Sequence, residues 1–122
     1  MRRLWFLAIL AVVVGSLLPG GSPPLRALSL LHINDKIQHF LAYFVLAWFP
    51  AWLDSRKAAA VTCLGLVAMG AALELLQLLV PGRSCELFDA FADLAGVICG
   101  ALAAAVSRIL MMRTGVSPGT PA

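Results

Sequence analysis

The sequence predicts an all-α fold, an integral membrane bundle of four transmembrane helices. Its 122 residues are 61% apolar and 12% charged, whereas soluble domains have roughly 45–50% and 25%. The long apolar segments also show no amphipathic period, so a soluble fold of this size would leave much of that surface in water. The bilayer is therefore the predicted solvent.

Four apolar runs give the order of the bundle along the chain, since each can form a span of roughly 17–25 residues once boundary turns are added. They cover residues 4–18, 37–53, 58–80 and 87–112. A Pro/Gly-rich stretch ends the first run, the charged residues 54–57 follow the second, and Pro81-Gly82 ends the third. Residues 1–112 form one predicted domain, and residues 113–122 form a predicted disordered tail.

The positions of Lys and Arg set the predicted orientation of these spans. Six basic residues fall on one side of the membrane and three on the other: Arg2, Arg3, Arg56, Lys57, Arg108 and Arg113 against Arg26, Lys36 and Arg83. The positive-inside rule then predicts a multi-pass protein of the inner (plasma) membrane with both termini in the cytoplasm. The first run also fits a secretory signal, but no small-x-small cleavage site follows it, so an uncleaved span is predicted.

The net charge of +3 does not indicate a nucleic-acid partner. The basic residues are spread through short segments and form no stripe with interleaved aromatic residues. The predicted partner is the lipid bilayer, and the sequence leaves a homo-oligomer open. The three cysteines lie at different predicted depths, so no disulfide framework is expected.

Polar residues gather where span 2 begins, span 3 ends and span 4 begins, which is the predicted extracytoplasmic face. They are Lys36, His39, Tyr43, Glu74, Gln77, Arg83, Asp89 and Asp93. Helical spacing places His39 and Tyr43 on one helix face, and Asp89 and Asp93 on another. An acid at this depth costs around 2.5–3.5 kcal/mol and needs a partner or a proton. The sequence therefore predicts that these side chains form one ligand site.

Arg83 is the nearest cation to these acids, and its planar guanidinium can bind two carboxylates. The sequence thus predicts that Arg83 pairs with them. Such pairs can also hold two helices together, but stability alone needs one pair and here there is a cluster. Packing has its own signal, because Ala92, Gly96, Gly100 and Ala104 place a small residue at every fourth position of span 4.

Three segments within residues 35–105 also carry a family resemblance: "DKIQHFLAYFVLAW", "ELLQLLVPGR" and "DAFADLAGVICG". In this order they resemble the VanZ-like family, named for a bacterial protein associated with teicoplanin resistance. The resemblance implies a small bacterial integral membrane protein and no established reaction. Where the family is expected to have Asn, four residues after the aspartate, this chain has Asp93. A protonated Asp93 would donate a hydrogen bond as the amide does.

The favoured hypothesis is that the cluster binds or modulates an amphipathic cell-envelope or lipid-linked ligand, related to glycopeptide resistance as the resemblance implies. The alternative is an intramembrane enzyme acting on a lipid-linked substrate, with His39 as general base and Glu74 or Asp89 orienting it or acting as general acid. A proton relay is disfavoured, because the cytoplasmic halves of spans 2 to 4 contain no Asp, Glu or His.

No cofactor and no metal are predicted from the sequence. A zinc site would use His39 with Glu74 and Asp89. However, His32 lies seven residues before His39 in a predicted loop, and the dense His/Cys spacing of zinc sites is absent. The two catalytic hypotheses, with and without a metal, therefore rest on the same three side chains.

Overall fold

The structure is a computed structural model that describes residues 2–31, 34–83 and 85–115. Five α-helices follow one another, α1 Arg2–Leu17, α2 Pro23–Ser29, α3 Asp35–Leu53, α4 Arg56–Leu76 and α5 Leu87–Arg113, and a 3-10 turn Gln77–Leu79 continues α4. No strand occurs among the described residues, so the predicted all-α fold is confirmed. His32 and most of the predicted tail lie outside the described residues.

The ends of the long helices follow from local sequence signals. The side chain of Asn34 accepts a hydrogen bond from the Lys36 backbone N–H at the start of α3, and Ser55 caps α4 through the Ala58 N–H in the same way. After the 3-10 turn the chain reverses at Pro81-Gly82, where Gly82 has a φ of 73° that only glycine adopts without cost. The predicted turn at this position is confirmed.

Helix α2 was not predicted, because the prolines between the first two spans were interpreted only as helix breakers. Pro23 and Pro24 occupy the first positions of this seven-residue helix. Proline suits the first turn of a helix because its φ is already helical and its missing N–H would have no partner there. The connection between α1 and α3 therefore contains a short helix as well as turns.

Helix α3 lies at the centre of the packed helices. Its buried Tyr43, Leu46 and Ala47 form one cluster with Leu66 of α4 and Val97 of α5, and side chains of α1 pack against this cluster. The Trp5 indole of α1 donates a hydrogen bond to the Leu46 carbonyl oxygen at 2.8 Å. The middle of α3 therefore packs against α1, α4 and α5.

The closest helix packing joins α3 and α5 through the small residues of α5. A Cβ atom on Gly96 would clash with the carbonyl oxygen of Phe40, and one on Gly100 with that of Phe44. Ala104, one helical turn further along, is fully buried. The predicted close approach of a neighbouring helix along this stripe is confirmed, and it brings the start of α5 against the start of α3.

Two segments in the described part of the chain are long and apolar enough to cross a bilayer, Arg56–Leu79 and Leu87–Arg113, each with a mean hydropathy of 2.0. Only 28% and 22% of their most apolar windows are buried, which differs from the mostly buried core helix of a soluble protein. The 16 residues of α1 rise about 24 Å, less than the roughly 30 Å of a hydrocarbon core. A bundle of four spanning helices stays a prediction.

Candidate functional site

His39 lies on α3 between two acids of α5. Its Nδ1 is 2.8 Å from Asp93 Oδ1, and its Nε2 is 3.8 Å from Asp89 Oδ2. Because the two aspartates are four residues apart on one helix, both carboxylates face α3. One imidazole is therefore held between two carboxylates, and the predicted meeting of these helix faces is confirmed.

Lys36, in the first turn of α3, provides positive charge beside the imidazole. Its Nζ donates to Glu86 Oε2 at 3.0 Å and to Asp89 Oδ1 at 3.4 Å. Because Glu86 and Asp89 share this one cation, Lys36 does not balance the deeper acids of the cluster.

Glu74 and Asp93 are the most deeply buried of these acids, with 4% and 3% of each residue exposed. Glu74 Oε2 accepts a hydrogen bond from the Glu86 backbone N–H at 3.3 Å. Asp93 lies against Gly70 of α4, where an added Cβ would be 3.0 Å from Asp93 Oδ2. Nitrogen and oxygen donors of His39, Glu74 and Asp93 all lie within 4.8 Å of one another. Three helices thus bring one imidazole and two carboxylates to a single point.

The predicted pairing of Arg83 with the carboxylates is wrong. Arg83 instead donates from Nε to the Leu18 carbonyl oxygen at 2.9 Å and from Nη2 to the Gly15 carbonyl oxygen at 2.6 Å. No ion pair joins Arg83 to an acid among the residues that the structure describes. The carbonyl groups at the C-terminal end of a helix lack partners within the helix and carry partial negative charge, which favours a cation there.

Gln77 strengthens the same junction, because its Nε2 donates to the Ser16 carbonyl oxygen at 2.9 Å. Nearby, the Gly20 N–H donates to the Pro81 carbonyl oxygen at 3.0 Å. A Cβ on Gly20 would clash with the Gly82 backbone, so the two turns approach as closely as glycine allows. The turn after α4 therefore holds the end of α1 in place.

A cleft of about 470 Å³ lies beside the polar cluster, within the range of about 300–1,000 Å³ typical of small-molecule sites. Its polar lining includes Asp35, Gln38, His39, Tyr43, Gln77, Arg83 and Asp89, and its apolar lining includes Ala11, Val12, Leu25, Leu28 and Ala42. The polar groups come mainly from α3 and from the turn after α4, whereas α1 and α2 supply most of the apolar ones. The lining of the cleft is therefore both polar and apolar.

The eight predicted site residues divide into two groups around this cleft. Five of them line it, namely His39, Tyr43, Gln77, Arg83 and Asp89. The other three, Lys36, Glu74 and Asp93, lie in the charged cluster around the His39 imidazole. Binding of a ligand by any of them stays a prediction. The structure places the carboxylates of Asp89 and Asp93 beside His39, whereas Arg83 lines the cleft without the predicted pairing with an acid.

Two further acids, Asp35 and Glu86, lie beside the predicted residues in the sequence but are not among the eight predicted site residues. Glu86 pairs with Lys36 and touches Glu74 through its backbone, and Asp35 lines the cleft one helical turn before His39. Their position beside the predicted residues was a usable signal. The lining from α1 and α2 had no comparable signal, because apolar residues of a membrane helix look alike whether they face lipid or a cleft.

Comparison with known proteins extends the resemblance beyond the segments that suggested it. The family model described as VanZ/LLP1 matches residues 4–110, which is nearly the whole chain. The matched region includes α1, whose last turn supplies the carbonyl groups that Gln77 and Arg83 contact. No curated protein and no solved structure matches the chain.

Proposed function

The chain belongs to the VanZ/LLP1 family, and from this premise we propose that it is a membrane protein that binds or modulates an amphipathic cell-envelope or lipid-linked ligand. Membership of this family supports a role related to glycopeptide resistance. The family is membrane-associated, and two helices of this chain have the length and hydropathy of membrane spans. The ligand would lie in the cleft beside the His39 imidazole.

The composition of the cleft is the observation that supports this function. The lining combines carboxylate, imidazole, amide and phenol groups with aliphatic side chains such as Leu25 and Leu28 of α2. Polar groups fix the orientation of a ligand, and apolar surface provides most of its burial. A molecule with a polar head and an apolar chain can contact both kinds of lining residue, whereas a small hydrophilic solute would leave the aliphatic residues without a partner.

The proposed membrane arrangement has α1, α3, α4 and α5 as the four spans, with both termini in the cytoplasm. The six-to-three distribution of Lys and Arg supports this orientation, and it puts the cleft at the extracytoplasmic side, where envelope precursors are exposed. Reporter fusions after Lys57 and at Ala122 should report a cytoplasmic location, and a fusion near Arg83 the opposite side. An extracytoplasmic C-terminus would contradict this orientation.

An intramembrane enzyme is the second candidate function, and one contact favours it. Asp93 Oδ1 lies 2.8 Å from His39 Nδ1, so Asp93, instead of Glu74 or Asp89, is the acid placed to orient the imidazole. A carboxylate at one ring nitrogen fixes the tautomer and leaves the other nitrogen to exchange a proton. Such an enzyme would convert a lipid-linked substrate, whereas a binding protein would return it unchanged.

Mass spectrometry of lipids and envelope intermediates that co-purify with the protein tests the proposal. The wild type should retain a distinct amphipathic species, and Ala11→Trp should lose it, because a large side chain at this cleft-lining position of α1 fills space beside the apolar lining residues. Ala60→Trp is the matched control, since Ala60 is exposed on α4 and does not line the cleft. Identical lipid profiles for wild type and Ala11→Trp would contradict binding in the cleft.

A further inference from the structure

We propose that His39, Glu74 and Asp93 bind one divalent cation of the first transition row, with Zn²⁺ as the representative ion. The sequence alone disfavoured a metal and considered Asp89 as the third ligand. The folded chain brings a different set together, with one donor each from α3, α4 and α5. This inference goes beyond the proposed function and does not depend on the identity of the amphipathic ligand.

The separations of the donor atoms are close to those of a coordination sphere. Zinc binds imidazole nitrogen and carboxylate oxygen at about 2.0–2.2 Å, so two ligands of one ion lie at most about 4.4 Å apart. The donors of all three residues lie within 4.8 Å of one another, and His39 Nδ1 and Asp93 Oδ1 are already 2.8 Å apart. Small side-chain rotations therefore suffice to close the set around an ion.

The chemistry of the donors selects the class of ion. Imidazole suits zinc, copper, iron and nickel, whereas magnesium and calcium prefer oxygen ligands alone. One nitrogen and two carboxylate oxygens form the three-ligand kind of set that zinc sites with an open position use. We therefore expect Zn²⁺ to bind well and Mg²⁺ and Ca²⁺ to bind poorly.

In such a site Asp89 would not bind the ion itself but would lie beside the ligand His39. Coordination through His39 Nδ1 leaves Nε2–H facing Asp89 Oδ2, which is 3.8 Å away. Histidines that ligate a metal almost always donate their second ring N–H to a carboxylate, a carbonyl group or water, and this contact orients the ring. Asp89 therefore has a role beside the bound ion that differs from the role of the three donors.

The balance of charge also favours a cation at this point. Among the described residues, Lys36 pairs with Glu86 and Asp89, and Arg83 contacts backbone carbonyl groups. Glu74 and Asp93 are left with the imidazole and one backbone N–H. Two carboxylates in a region of low dielectric are costly when their charge is not compensated. A divalent ion with neutral imidazole compensates them fully.

Metal binding to the full chain in detergent tests this site directly. After chelator treatment and dialysis, the wild type should bind about one Zn²⁺ per chain, and its melting temperature should rise with free Zn²⁺ up to a plateau. Asp93→Asn should weaken Zn²⁺ binding by at least the roughly 10–100-fold seen when even an outer partner is removed. Asp54→Asn is the matched control, because Asp54 pairs with Arg2 elsewhere in the structure, and it should bind Zn²⁺ as the wild type does.

Two further measurements test whether the bound Zn²⁺ is held by the free cysteines, Cys63, Cys85 and Cys99. They also test the site if Asp93→Asn fails to fold. A variant with all three replaced by Ala should keep the bound Zn²⁺. In the wild type, Co²⁺ should give a visible spectrum of nitrogen and oxygen ligation. A thiolate-to-cobalt charge-transfer band, a wild type that binds no Zn²⁺, or a folded Asp93→Asn variant with wild-type affinity would each overturn the proposal.

Discussion

The two ends of the helix bundle both contain buried or half-buried charge, but they use it differently. At the end around Asp54, Arg2 pairs with Asp54 at 2.6 Å, and Arg108 donates to the carbonyl oxygens of Ala51 and Asp54. The cavity beside this pair has a volume of only about 60 Å³. At the end around His39, three buried acids surround one imidazole beside a cleft of about 470 Å³.

The comparison separates charge that joins helices from charge that faces a cleft. Around Asp54 one cation meets one anion, and the remaining donors reach backbone carbonyl groups, so the contacts are complete without any ligand. Around His39 the acids outnumber the cations that contact them. Arg83, the residue that would have balanced them, holds the end of α1 instead. We infer that the His39 end is built for a ligand, and that stability comes mainly from the α3–α5 packing and the junction with α1.

The largest loss of stability is expected for Gly96→Leu. A side chain at Gly96 would clash with the backbone carbonyl oxygen of Phe40, and forcing extra atoms into a packed contact costs about 1–3 kcal/mol, or more when backbone must move. Membrane abundance and melting temperature in detergent should both fall sharply. Gly65→Leu is the matched control, because nothing lies within 4 Å of a Cβ at Gly65, and equal losses in the two variants would contradict the packing account.

The next largest effect is expected for Arg83→Gln, which removes a charged donor from the last carbonyl groups of α1. Hydrogen bonds that involve a charged group contribute about 1.5–3 kcal/mol, so the melting temperature should fall. Arg26→Gln is the control, since Arg26 is an exposed arginine outside this junction. In a double-mutant cycle with Glu74→Gln the two losses should simply add, and strong coupling would show that Arg83 and Glu74 do meet.

A small effect is expected for Asp54→Asn, although its ion pair with Arg2 is short. The Arg2 side chain is 76% exposed, and exposed ion pairs contribute about 0–1 kcal/mol. The melting temperature should change little and the change should shrink at high salt. A loss as large as that of Arg83→Gln would show that the two ends do not differ as described.

The sequence predicted the parts of the site that depend on helix geometry. The spacing of Asp89 and Asp93, and of His39 and Tyr43, defines helix faces, and shared membrane depth brings those faces together. The partner of Arg83 was not predictable in this way. Its acceptors are backbone carbonyl groups of Gly15 in α1 and of Leu18 just after it, 68 and 65 residues away in sequence, and every residue of an apolar helix carries such a group.

The apolar lining of the cleft and the short helix α2 were missed for a related reason. Leu25 and Leu28 belong to a seven-residue helix that begins with two prolines, and proline signals both the end of one helix and the start of another. Which residues of α1 and α2 face the cleft depends on how these helices pack against α3. That packing comes from many similar apolar contacts and leaves no distinctive pattern in the chain.

The measurement that tests the central claim most directly is a paired one on Asp89→Asn: melting temperature in detergent, and the amount of amphipathic species that co-purifies. We expect a change in the free energy of unfolding below about 1 kcal/mol, because the amide oxygen still accepts from Lys36 and repulsion with Asp93 is removed. We also expect loss of the co-purifying species. A fall in abundance and melting temperature as large as that of Gly96→Leu would show that the acids hold the bundle together, and would contradict the account.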